Sequence, residues 1–295
     1  MLETGLYERV RRLLLRTASL DLGDDRHYLV ETRLAQPGAL GRWPSLAALV
    51  DAAESGHQEA RRRIIEALVT TETFFFRDQP VFDALRTRLL PTLFEQVRGR
   101  RIELWSAASS SGQEAYSIAI LVATRFPSLR SRVHILASDI SEAMVGRVQR
   151  ALYSDLEVRR GLRDDELRRA FVEASGGWQV REEIRALVEA RVINLADPLP
   201  AIGPFDMVFL RNVLIYVPPS SRGAILARVV DRLRPGGFLV LGNGESLEVG
   251  TFGLDRLDGL RAPIYVRRGR VCPSSANLRD SVPRTPQRGV GGGQS

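Results

Sequence analysis

From residue 101 onward the chain is organised by one alternation. Short apolar runs at Arg101-Ile102-Glu103-Leu104-Trp105, His134 to Asp139, Phe205 to Leu210 and Phe238 to Leu241 are separated by stretches of helical periodicity at Gln113–Arg125, Ser141–Leu152 and Ser220–Leu233. Strand-length runs alternating with helices of this size make successive strands parallel, with crossover helices covering both faces of one sheet. The predicted fold is therefore α/β: a doubly wound, mostly parallel sheet.

The first 70 residues contain no such run. Leu6, Val10, Leu13, Leu14 and Thr17 fall on one face of a helix over 6–20, with Arg9, Arg12 and Arg16 flanking it. A second helix is expected over 25–35, stopped at Pro37-Gly38. A third is expected over Leu46–Ala53 with Ser45 as its cap, and a fourth from His57 to Val69 with Ala60, Ile64, Ile65 and Leu68 inward. Residues 1–70 thus read as an N-terminal all-helical domain and 71–268 as the α/β domain, which opens with a helix over about 78–97. Between about 171 and 194, Gly176-Gly177 precedes Trp178-Gln179-Val180, and Val188 and Val192-Ile193 follow, which predicts a small antiparallel β insertion. Residues 269–295, rich in Pro, Ser and Gly, read as a disordered tail.

Composition removes several chemistries. All 42 basic residues are arginine, so neither a Schiff base nor a phosphate-binding loop that needs lysine is available. The single Cys272 excludes paired-cysteine zinc sites and disulfides, and three scattered histidines leave little for a metal centre; no metal is expected. The net charge of +7 is concentrated in residues 267–295, which hold six arginines against Asp280 alone, so a nucleic-acid partner is not expected. The longest apolar run, Ile118–Ala123, is far short of the ~20 residues of a spanning helix, and no membrane insertion and a cytoplasmic location are expected.

Ligands of a doubly wound sheet bind beyond the carboxyl ends of its strands. There the sequence places Ser106-Ala107-Ala108-Ser109-Ser110-Ser111-Gly112, small residues that let a ligand approach the backbone and lead into a helix. The dinucleotide pattern G-x-G-x-x-G is missing, and Glu114 stands in the first helical turn. A carboxylate there repels a pyrophosphate and attracts a cation, which favours S-adenosylmethionine over NAD. Asp139, at the end of the next strand, is either the cap of the following helix or an acceptor for both ribose hydroxyls; the neighbouring small-residue loop favours the ribose. Leu233-Arg234-Pro235-Gly236-Gly237 recurs in class I methyltransferases and is also an ordinary helix stop.

Taken in order, Thr70-Thr71-Glu72-Thr73-Phe74-Phe75-Phe76-Arg77, Trp105-Ser106-Ala107-Ala108 with Gly112 and Glu114-Ala115-Tyr116-Ser117, Ala137-Ser138-Asp139-Ile140, Val192-Ile193-Asn194-Leu195, and Phe205-Asp206 with Phe209 to Tyr216 resemble the chemotaxis receptor methyltransferases, the CheR-type enzymes. The resemblance covers roughly residues 5 to 268. It implies a class I S-adenosylmethionine-dependent methyltransferase fold that carries the helical domain and the β insertion. It further implies transfer of a methyl group to glutamate side chains on the cytoplasmic helices of chemoreceptors, acting as a monomer, with S-adenosylhomocysteine as the spent product. By the same resemblance Thr71, Thr73 and Arg77 lie over the methionine end of the cofactor, Glu114 near its amino group, Asp139 on the ribose, Asn194 and Leu195 at the adenine, and Arg211 and Asn212 beside the sulfonium. Arg77 and Tyr216 are implied to orient the incoming glutamate.

Plainer readings stand beside these. Asn194 also suits a turn before Asp197-Pro198, Tyr216 a buried tyrosine, and Phe74 to Phe76 simple packing. Three positions depart from the family pattern: Thr71 stands where Asn is common, Gln113 where an acid is, and Ala115 where proline is. The stripe Arg9, Arg12, Arg16 and the run Arg61-Arg62-Arg63 suit either a surface that docks on acidic receptor helices or a solvated face paired with Glu8, Glu59 and Glu66. A cofactor-binding signalling scaffold and a methyltransferase for another substrate are the alternatives to receptor methylation.

Overall fold

The computed structural model describes residues 3–24, 26–34, 38–248 and 250–269; the predicted disordered tail, Gly269 apart, lies outside them. Four helices, α1 (Thr4–Ala18), α2 (His27–Leu34), α3 (Leu46–Glu54) and α4 (Gln58–Leu68), form the N-terminal module. Their apolar faces close a core around Tyr7, Val10, Leu13, Leu49, Val50 and Ile64. Ser45 caps α3 as expected, its Oγ accepting the Ala48 N–H at 3.1 Å. The helix expected over 78–97 is divided into α5 (Gln79–Ala84) and α6 (Leu90–Gln96) by a π-helical turn, Leu85–Leu89.

The alternation then unfolds as read, except that Leu233 to Gly237, read as a helix stop, lies within a strand over Leu233–Leu241. It runs β1 (Ile102–Ala107), α7 (Gln113–Arg125), β2 (Val133–Asp139) and α8 (Glu142–Arg150). Next come β3 (Leu152–Tyr153), α9 (Asp155–Arg159), α10 (Asp164–Ala170), β4 (Phe171–Ala174), β5 (Gly177–Val180), α11 (Glu182–Arg185) and β6 (Val188–Val192). The chain closes with β7 (Phe205–Leu210), α12 (Pro219–Asp231), β8 (Leu233–Leu241), β9 (Leu254–Arg256) and β10 (Ile264–Arg267). The large sheet has the order β6-β2-β1-β7-β8-β10-β9, with β6 to β8 parallel and β10 and β9 antiparallel. The order reverses at β1 and β7, so the crevice between their carboxyl ends is the natural ligand site.

The antiparallel insertion exists but with different membership. β3, β5 and β4 make the small sheet, whereas Val188–Val192 pairs in parallel with β2 as an edge of the large one. Two of its residues, Glu189 and Arg191, are half-buried and exposed, so this edge strand lacks the fully apolar run that marked the central strands.

Side chains of β1 alternate between the two faces. Ile102 and Leu104 join the core beneath α7, and Trp105 and Ala107 join the core beneath α12. Trp105 donates its indole N–H to Ser138 Oγ at 2.8 Å, so the largest buried side chain leaves no polar atom unpaired. At the opposite end of the sheet, Asp206 is buried and holds Arg100 in a bidentate pair at 2.6 and 2.7 Å while accepting the Glu103 N–H at 2.9 Å. Among the described residues no helix is long and apolar enough to cross a membrane. Asp206→Asn removes the charge from this junction and is expected to cost about 2 kcal/mol of stability by chemical denaturation at neutral pH.

Candidate active site

A cleft of about 1400 Å³, part of it open to solvent, lies between the helical module and the carboxyl ends of β1, β2, β6 and β7. Each strand contributes where it ends: Ala108, Ser109 and Ser110 after β1, Asp139 and Ile140 at β2, Ile193 and Leu195 after β6, and Arg211, Asn212 and Val213 after β7. The helical module supplies the opposite wall with Ala18, Leu20, Asp21, Leu22, Arg26 and Leu29, and the 68–77 connection runs along a side.

The loop after β1 turns tightly. Ala108, Ser110 and Gly112 all have left-handed backbones, with φ of 56°, 50° and 94°. At Gly112 a Cβ would also press on Val148 at 3.0 Å and the Tyr153 hydroxyl at 3.1 Å, so the small residues read from the sequence are required by both conformation and space. Asp139 fixes this loop from the side, accepting the N–H groups of Ser110 at 2.8 Å and Ser141 at 3.0 Å. The cap of α8 is Ser141, which accepts the Met144 N–H at 3.1 Å; Asp139 is therefore left to face the cleft. Burial pushes its carboxyl above the ordinary value, although backbone hydrogen bonds pull the other way.

Arg211 is the centre of the acidic side. Its side chain is 2% exposed, and it donates to Glu114 at 2.7 Å, to Asp78 at 2.8 Å and to the Arg77 carbonyl at 2.7 Å. Glu114 also accepts from Ser106 Oγ at 2.7 Å, and its carboxylate retains acceptor capacity toward the cleft. Two carboxylates around one guanidinium leave the group net negative, as a cationic ligand requires. Ser109 Oγ lines the same cleft, buried and without a partner among the described residues.

Of the ten residues implied by resemblance, eight border this one cleft: Thr73, Arg77, Glu114, Asp139, Leu195, Arg211, Asn212 and Tyr216. Two do not. Thr71 is exposed and takes part through its carbonyl, which accepts from Ser110 Oγ at 2.8 Å. Asn194 donates to the Thr17 carbonyl of α1 at 2.7 Å and to Asp197 at 2.9 Å, and its Oδ1 accepts the Ala196 N–H at 3.0 Å. That is the turn-residue reading of Asn194, with an added role in tying the helical module to the sheet. Gln113 and Ala115 are buried and do not line the cleft, so those two departures leave its charge unchanged. Asp78 and the module residues Asp21, Leu22 and Arg26 were not singled out in the sequence. Asp78 adjoins Arg77 and was within reach of the same reasoning; the module residues carry no local signal.

The arginines of the helical module are largely engaged internally. Arg9 pairs with Asp51 at 2.5 Å and Glu54 at 2.6 Å, Arg61 with the Ala53 carbonyl at 2.8 Å, and Arg63 with Glu59 at 3.3 Å. Arg62 reaches across to Glu142 of α8 at 2.7 Å. A paired face accounts for Arg9, Arg61, Arg62 and Arg63, although the partners of Arg9 are Asp51 and Glu54 rather than Glu8.

Arg211→Met would leave the largely buried carboxylates of Glu114 and Asp78 without their shared cation. It is expected to cost about 3 to 5 kcal/mol in an unfolding titration, far more than loss of an exposed arginine such as Arg159.

Residues 71–255 match the family described as CheR methyltransferase, SAM binding domain. The chain is 38% identical over 246 residues to chemotaxis protein methyltransferase 1 of Pseudomonas aeruginosa, a match covering 82% of this chain and 90% of that one. It is 35% identical over 247 residues to chemotaxis protein methyltransferase Cher2 of Pseudomonas putida, again over 82% and 90% of the two chains. To the chemotaxis protein methyltransferase of Vibrio parahaemolyticus it is 38% identical over 246 residues, covering 82% and 89%. The residues of the cleft fit the cofactor those domains bind: a net-negative cluster suits its cationic amino and sulfonium groups, and the Ser109 hydroxyl is buried and unpartnered among the described residues. The chain belongs to the CheR methyltransferase family, with S-adenosylmethionine as its methyl donor.

Proposed function

We propose that this protein transfers a methyl group from S-adenosylmethionine to glutamate side chains on the cytoplasmic helices of chemoreceptors, forming glutamyl methyl esters, and that it does so in the cytoplasm as a monomer. One observation carries the reading: a single cleft bears an acidic group suited to the cofactor and, beside it, a guanidinium and a phenol still free to hold a carboxylate. The Arg77 side chain makes one hydrogen bond, to the Glu72 carbonyl at 3.1 Å, and packs against Phe74. Tyr216 lines the cleft, and among the described residues nothing occupies its hydroxyl.

When bound, the cofactor supplies a methyl carbon on a cationic sulfur; a carboxylate oxygen forms the new bond as the carbon–sulfur bond breaks, and the electron pair stays on sulfur. A glutamate carboxylate is already ionised near neutral pH, so no general base is needed, and no histidine lines the cleft. What the protein contributes is position. Arg77 can take the two carboxylate oxygens in a forked pair while Tyr216 donates to one of them. Glu114, its charge offset in part by Arg211, would hold the amino group of the cofactor, Asp139 would accept from the ribose and Leu195 would cover a face of the adenine. Thr73 and Asn212 complete the polar lining.

The decisive experiment is transfer of labelled methyl groups to cytoplasmic fragments of chemoreceptors, read as base-labile label. Cofactor binding without transfer to any protein would identify a scaffold instead, and label on other proteins alone would identify another substrate. Arg77→Ala and Tyr216→Phe are each expected to lower the transfer rate by about ten- to a hundredfold, with Tyr216→Phe leaving cofactor affinity unchanged. Near wild-type rates for both would remove these residues from the acceptor site.

Asp139 adds a pH dependence. Only the ionised carboxylate accepts both ribose hydroxyls, and burial has raised its pKa above 3.8. Cofactor affinity therefore holds above the raised pKa and declines as the pH falls through it, beginning before ordinary carboxylates titrate. Calorimetry across acidic pH should show that decline in the wild type and lose it in Asp139→Asn; the same decline in the variant would assign it to another group.

A further inference from the structure

One buried carboxylate has no part in the cofactor or acceptor sites described so far. Glu245 follows β8, is 6% exposed, and is filled by four backbone amides: Oε2 accepts from Asn212 at 2.9 Å and Gly242 at 2.8 Å, and Oε1 accepts from Val213 at 3.0 Å and Leu214 at 2.8 Å. The arrangement is a nest of N–H dipoles around one anion.

The chain needs such a partner at this point. After β7 the backbone leaves the sheet through Asn212, whose φ of 58° is left-handed, and enters the single 3-10 turn Leu214–Tyr216. The first N–H groups of a helical turn have no partner within it, and here Glu245 supplies one, in bonds that are buried at Leu214 and Gly242 and part-buried at Asn212 and Val213. Gly242 supplies the space: a Cβ there would lie 2.9 Å from the Asn212 nitrogen and 2.9 Å from Glu245 Oε2. The ends of the neighbouring strands β7 and β8 are thus joined through one carboxylate.

What this junction holds is the cofactor wall. Arg211 immediately precedes the three clamped amides, Asn212 and Val213 border the cleft, and Tyr216 follows within the turn. We propose that Glu245 is a positioning residue for the methyltransferase cleft: by gathering the amides of Asn212, Val213 and Leu214 with that of Gly242, it sets the backbone from which Arg211, Asn212 and Tyr216 enter the site. The inference rests on the cofactor site alone and does not depend on which acceptor is methylated.

The test uses the full chain, with S-adenosylmethionine as the titrant in calorimetry and thermal unfolding measured in parallel. Glu245→Gln keeps the size of the side chain but retains one acceptor oxygen, so one pair of amides loses its partner and meets an NH2 group instead. Cofactor binding should weaken by between about tenfold and a hundredfold, and more in Glu245→Ala. Asp206→Asn serves as the stability control: it weakens an equally buried acceptor at the far end of β7 and should leave cofactor affinity within about twofold of wild type. Amide hydrogen exchange should quicken at 212–216 in Glu245→Gln while β1 stays protected. Gly242→Ala, which pushes Asn212 and Glu245 apart without changing the carboxylate, should reproduce the loss of affinity. The proposal is overturned if Glu245→Gln folds and binds cofactor within about twofold of wild type. It is also overturned if affinity falls as far in Asp206→Asn, or if neither Glu245→Gln nor Gly242→Ala yields folded protein, since the carboxylate would then serve the core as a whole.

Discussion

The buried guanidinium of Arg211 is the interaction on which the arrangement of this molecule turns. A cation removed from water needs close, well-directed partners, and Arg211 finds them on segments far apart in sequence: Glu114 in the first turn of α7, and the Arg77 carbonyl and Asp78 carboxylate at the entry to α5. Three parts of the chain are thereby fixed at the carboxyl edge of the sheet. Because two acids surround one base, the cluster also sets the sign of the cleft. The same contacts that hold the fold together give this side of the cleft its negative charge, so stability and electrostatics share one group.

The helical module is joined to this edge by specific polar contacts. Asn194 donates to the Thr17 carbonyl, the Asp21 N–H donates to the Tyr216 carbonyl at 3.0 Å, and Glu66 accepts from Ser141 and from the Ala143 N–H at 3.2 Å. With Arg62 paired to Glu142, these anchor α1 and α4 around the cleft. The module thus closes a crevice that the sheet alone would leave open along one side. Narrowing its access to water strengthens the charge interactions inside, and for a reaction that depends on orientation more than on proton transfer, a walled cleft is the main requirement.

Much of this was legible beforehand because the informative residues are local. The alternation of apolar runs and amphipathic stretches predicts which segments are strands, and a helix cap such as Ser45 acts within three residues. The small residues from Ala108 to Gly112 announce a tight loop because their own backbones must turn. That Glu114 and Asp139 border the cleft was readable because a helix start and a strand end at the carboxyl edge of the sheet both face it. Other features were not legible. β6 could not be told from an insertion strand, since an edge strand with polar residues lacks the apolar run of a central one. Asn194 matched a motif, but whether its side chain turns to a cleft or to a neighbouring helix is decided by what lies beside it, here α1.

Glu245 shows the division most plainly. Its sequence neighbours, Gly242-Asn243-Gly244, suggest only a turn, and the amides of Asn212 to Leu214 give no sign that they need a partner. The sequence by itself determined the class of fold, the order of its elements, the small-residue loop and the acidic character of the cofactor site, because these follow from periodicity, chain stiffness and charge along neighbouring residues. The tertiary structure alone decided which acids surround Arg211, which face of the helical module walls the cleft, and which carboxylate gathers the amides after β7. Those depend on groups tens to more than a hundred residues apart being brought within hydrogen-bond distance, and only the packed sheet does that.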